Sequence, residues 1–176
     1  MATLAFFVAL IFSMATSLGV GASTLAVLNF FVAIADGKID ETERHMMGVV
    51  YFVLRVAMVT LFFTLAFITG YSTTHLGVDA FTPLVYAQWM TLTILYVNAI
   101  LMTLRLMPST FGPAIQAGSW YTLGFLGALA GMQVTTFSIS QFILGYCSLL
   151  LLAAAVINGV MAYLKSHREK SNTFVH

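Results

Sequence analysis

Charge is what this sequence lacks most. Asp, Glu, Lys and Arg make up 7% of its 176 residues, where a soluble domain carries about a quarter. That leaves too little polar surface to cover a water-exposed globule. The net charge is +1, so no basic face for nucleic acid is expected. The single cysteine, Cys147, excludes an intrachain disulfide and leaves the redox compartment open. No nucleophile elbow, phosphate-binding loop, metalloprotease helix or zinc-ligand spacing occurs. No histidine falls in the middle of a predicted span, so haem held by two histidines within the bundle is not expected. The reading is therefore a non-enzyme with no cofactor and no metal.

What is present is hydrophobic, at 60% of the chain. The bilayer is the expected solvent for most of the surface. The pattern predicts an all-α, polytopic transmembrane bundle of five spans, at about 4–35, 45–70, 83–107, 114–134 and 139–165. One domain covers 1–168, and 169–176 forms a short polar tail. The opening apolar run has no Lys or Arg ahead of it and continues past its small-residue stretch. An uncleaved first span is thus expected rather than a signal peptide. About 30 apolar residues would reach roughly 45 Å, against a hydrocarbon core of about 30 Å. A kinked or broken first helix is expected at Gly19 and Gly21, flanked by Ser17, Ser23 and Thr24.

The helix ends carry readable chemistry. Gly37 suits the stop of helix 1. Asp40 with Glu43 three residues on reads as a capping box opening helix 2, and Ser138 with Gln141 as a second opening helix 5. Thr82 and Pro83 suit the N-cap and first turn of helix 3, and Pro113 the first turn of helix 4. Lys38, Arg44, Arg105, Lys165, Arg168 and Lys170 gather on alternate links and the C-terminal tail. That bias predicts the N-terminus outside and the C-terminus in the cytoplasm, most simply across a plasma (inner) membrane.

Few polar residues fall within the predicted spans. Arg55 lies roughly 13 Å beyond Met46, the expected entry of helix 2 into lipid. Its burial cost starts at about 2.5 kcal/mol at mid-bilayer. Asn29, Asn98 and Asn158 each precede a charged helix-end residue (Asp36, Arg105, Lys165) by the same seven positions. This predicts one shared polar layer roughly 10 Å inside the cytoplasmic face, to which Ser119 or Thr122 of helix 4 can contribute. The layer has two readings. Amides and guanidinium are interhelical glue, or they line a substrate site with Arg55 as anchor for an anionic or polar small solute.

The remaining features have plainer readings. Gly37, Ile39 and Glu43 resemble the second half of an EF-hand loop. Val32 and Ile34 stand where side-chain ligands would be needed, so helix-end chemistry is preferred. Glu41 with His45, and His75 with Asp79, are read as solvated helix-end groups. Gly124, Gly127 and Gly131 of helix 4, and Ala153 to Ala155 and Gly159 of helix 5, read as packing faces. Trp89, Tyr71, Tyr86, Trp120 and Tyr163 read as interfacial anchors. Function is expected to be a small transport protein or channel subunit, homo-oligomeric or joined to other membrane subunits. The alternative is a scaffold subunit of a larger membrane complex.

Overall fold

The computed structural model describes residues 2–36, 40–76, 81–108, 111–134 and 136–173. They form five helices: α1 (Ala2–Asp36), α2 (Glu41–Leu76), α3 (Pro83–Thr103), α4 (Gly112–Gly131) and α5 (Ile139–Thr173), with no strand among the described residues. Four stretches are long and apolar enough to cross a bilayer: Thr3–Ala35, Glu41–His75, Pro83–Thr103 and Ile139–His167. The described residues are thus all-helical, with four helices suited to a membrane. In hydrocarbon every backbone polar group must be paired within the segment, which favours helix wherever the side chains are apolar. The hydroxyls follow the same logic. Thr16, Thr60, Thr91, Thr103 and Thr122 each donate to the carbonyl four residues back, at 2.8–2.9 Å.

The helix starts match their sequence signals. The Glu43 N–H donates to Asp40 Oδ1 at 2.6 Å, and the Asp40 N–H donates to Glu43 Oε2 at 3.1 Å. Ser138 and Gln141 make the same reciprocal pair, at 2.9 and 3.1 Å. Thr82 accepts from the Val85 N–H at 3.4 Å, with Pro83 in the first turn. The ends differ more from expectation. α2 passes through Gly70 to Leu76, and α5 runs to Thr173, through most of the expected tail. α3 stops at Thr103 and α4 at Gly131, earlier than their spacing suggests. Both close in a Schellman turn. Leu106 N–H reaches Leu101 O and Arg105 N–H reaches Met102 O; Val134 and Gln133 do the same to Leu129 and Ala130. The residues in the left-handed region are Arg105 (φ 57°) and Gln133 (φ 56°), not glycines. The expected role of Gly37, and Asp79 in the loop after α2, lie outside the described residues.

α4 is the central helix. It packs against α1, α3 and α5, while α2 packs chiefly on α1 and touches α3 sparsely. Its buried face holds Gly112, Ala114, Ala117, Gly118, Ser119, Trp120, Thr122, Leu123 and Leu126. Trp120 is a correction. It was expected at the interface, yet it is fully buried in the main core with Leu61, Leu95, Leu92 and Leu123. Gly19 explains how it fits. α1 is continuous helix from end to end, so of the expected kink or break at Gly19 and Gly21 the break is absent. Gly19 instead leaves room for the Trp120 ring, which a methyl group there would overlap, while Gly21 faces open space. The close approach of α4 and α5 is at Gly118, where a Cβ would come 2.7 Å from Leu150 Cδ2.

Candidate functional site

Two cavity regions lie at opposite ends of the bundle, with the Trp120 core between them. The larger, about 810 Å³, is walled by four helices, with Ala9 to Val20 of α1, Leu65 and Ile68 of α2, Leu84 to Gln88 of α3, and Gly124 to Gly131 of α4, and it opens at the flank where Ser13, Ser17 and Ala128 are exposed. Its size falls in the range of small-molecule sites. Its polar groups are Ser13, Thr16, Ser17 and Gln88, and no charged side chain lines it. Thr16 donates to Phe12 O at 2.9 Å. Gln88 is only 6% exposed, and its amide has no hydrogen-bond partner among the described residues. Ser13 and Ser17, one turn apart on α1, are likewise without a partner there and face the same space. The Gln88 amide is therefore available to water or to a polar solute in the cavity.

Small residues make the cavity. Gly127 and Gly131, the pair expected to bring two helices together, have nothing within 4 Å of an added Cβ. They leave a gap between α4 and its neighbours rather than closing one. Below them the gap narrows: a Cβ on Gly124 would lie 3.2 Å from Val20 Cγ2. Gly19 against Trp120 then closes the floor. The plug under that floor is uncharged and mostly apolar, and Trp120 Nε1 is buried there without a partner among the described residues.

The other region lies beside the last turn of α3. Asn98 is 2% exposed and donates to Gly112 O at 3.0 Å and to Gln116 Oε1 at 2.9 Å. Its own Oδ1 is buried and unpaired. Gln116 also lines a cleft of about 280 Å³ with Tyr51, Leu54, Arg55, Met58, Ala99, Met102 and Thr103. Arg55 is therefore level with the end of α3, and its side chain is exposed at the flank between α2 and α3. The segment 41–54 carries α2 about 20 Å further in that direction.

The expected polar layer divides. Asn98 joins α3 to α4, as described. Ser119 shares a 2.7 Å hydrogen bond with the Tyr146 hydroxyl of α5 and donates to Ile115 O. Asn158 donates to Ala154 O within its own helix at 2.8 Å. Asn29 is half-buried and has no hydrogen bond among the described residues. No hydrogen bond between described residues joins any two of Arg55, Asn29, Asn98 and Asn158. Thr122 bonds back to Gly118 O. The residues that sequence reasoning passed over are Ser13, Thr16 and Gln116.

No family model, no curated protein and no solved structure matches this chain.

Proposed function

We propose that this protein carries a small, uncharged polar solute across a membrane through the four-helix cavity. The observation that supports this most directly is Gln88, a residue only 6% exposed whose amide opens on the cavity and has no partner among the described residues. The absence of charge in the lining argues for a neutral solute. An ion held there without a counter-charge would cost several kcal/mol in desolvation. Arg55 lies outside this cavity, so the solute class is polar rather than anionic. In this reading all five helices span, with α4 packed against α1, α3 and α5. The N-terminus lies outside, and the base-rich end faces the cytoplasm of a plasma (inner) membrane. The Trp120–Gly19 contact is the closed gate, and transport requires α1 to move away from α4 there.

Flux into proteoliposomes, measured over a panel of polyols, sugars and zwitterionic amino acids, tests the proposal. For the transported solute, Gln88→Leu should weaken half-saturation by about fivefold to tenfold, because a neutral hydrogen bond is worth about 1–1.5 kcal/mol. Gly127→Leu should block the cavity by volume. Flux that both variants leave unchanged would refute the proposal.

A scaffold role has one observation in its favour. Only 11% of the apolar window of α5 is buried, and an apolar groove of about 550 Å³ separates α5 from α4. A stoichiometric complex with other chains, found by native mass measurement in mild detergent, would support that role.

A further inference from the structure

We propose that the Arg55 cleft binds the phosphate of a glycerophospholipid, with one acyl chain lying along the groove beside it. The inference is separate from the solute cavity, which Arg55 does not touch.

Arg55 has no ion-pair or hydrogen-bond partner among the described residues. The acids nearest along its own helix, Glu43 and Glu41, lie at least 12 positions away, roughly 18 Å by helical rise. A guanidinium at the flank of a membrane bundle needs an anion or water to offset its cost. Its surroundings select which. On one side is the 280 Å³ cleft, where Gln116, Thr103 and Tyr51 supply polar groups. Gln116 accepts the Asn98 bond through Oε1, which leaves its NH₂ free to donate. On the other side of Arg55 is a second cavity of about 260 Å³, walled by Met58, Tyr96, Ala99, Ile100 and Leu104. Arg55 is the cation common to both. The side chains around the opening face outward and are apolar: Phe52, Val56, Val59, Ile100 and Leu104 are all exposed. A ligand must therefore reach the site through lipid, which a free inorganic anion does poorly and an amphiphile does readily. A planar guanidinium grips two phosphate oxygens at once. An amide donor stands beside it, and the apolar cavity takes the first part of a chain. Sparse contact between α2 and α3 leaves the gap that the lipid fills.

Native mass spectrometry of the full-length protein, delipidated and then titrated with phosphatidylglycerol, reads the site directly. Wild type should retain one lipid against detergent exchange. Arg55→Ala should weaken that retention at least about tenfold, the loss expected for a charge-assisted hydrogen-bonded contact. Ile100→Trp should weaken it too, by filling the chain groove while leaving the charge in place. Arg44→Ala, on the same helix but away from the cleft, should retain the lipid. Because Arg55 makes no internal bond, its removal should leave circular dichroism and elution volume unchanged. Equal retention by wild type and Arg55→Ala would overturn the proposal. Displacement of the lipid by millimolar inorganic phosphate would overturn it as well, by making the ligand a soluble anion.

Discussion

Gly19 and Gly21 stand two positions apart on one helix, yet alanine should have opposite effects at the two. At Gly21 an added methyl meets nothing within 4 Å. Only helix propensity changes there, a gain of up to about 1 kcal/mol. At Gly19 the methyl overlaps the six-membered ring of Trp120. That ring is 0% exposed and held among Leu61, Leu95 and Leu123, so it cannot swing aside. α1 must shift instead, and overpacking of this kind costs about 1–3 kcal/mol. Subtracting the propensity gain leaves Gly19→Ala less stable than wild type by up to about 2 kcal/mol, and less stable than Gly21→Ala by about 1–3. Reversible unfolding in mixed micelles, with denaturing detergent as the titrant, measures both. A Trp120→Ala background isolates the cause: with the ring gone, the penalty of Gly19→Ala should vanish and the double-mutant cycle should show coupling of at least about 1 kcal/mol. Equal effects at the two glycines, or strict additivity with Trp120→Ala, would refute this account of the α1–α4 contact.

Other variants test other parts of the fold. Gln133→Gly should stabilise by about 1 kcal/mol in the same unfolding assay, because it relieves a left-handed residue at the end of α4. Ser138→Ala should cost about 1 kcal/mol by removing the cap on α5. Asn98→Leu should destabilise by about 1–3 kcal/mol, since it removes both side-chain bonds that join α3 to the start of α4 and leaves Gln116 Oε1 without its donor. Gln116→Leu should cost less, because only one of the two bonds is lost.

The helix starts were legible because a capping box is a local code: two side chains three residues apart answer two orphan amides. The ends of α3 and α4 were harder, because the left-handed positions are held by Arg105 and Gln133 rather than by glycine. The seven-residue spacing of the asparagines could assign a depth but not a partner. Depth follows from helical rise alone, whereas partnership depends on how each helix is rotated in the bundle. Asn98 bonds to α4 while Asn29 has no hydrogen bond among the described residues, and nothing in their spacing separates the two. The glycines pose the same difficulty in another form. A residue without a side chain permits either close packing or a void. Gly19 and Gly118 are the first kind, Gly127 and Gly131 the second. The cavity was therefore present in the sequence only as a stripe of small residues on helix 4 and scattered hydroxyls on helix 1. Trp120 misled for a related reason. A tryptophan near a helix end usually marks the interface, but here the indole meets a glycine of another helix.

On this reading the space around Gln88 is wet and open to polar solutes while its neighbourhood faces lipid. Single cysteines at Ser13 and Met14, in a Cys147→Ala background, test it most directly. Ser13 lines the cavity; Met14, the next residue, is 65% exposed on the outer surface of α1. A membrane-impermeant thiol reagent applied to proteoliposomes reacts with thiolate, which forms in water and not in hydrocarbon. Rapid labelling is expected at position 13 and none at position 14, although both residues are exposed on α1. Labelling at 14 but not at 13, or at neither, would contradict it.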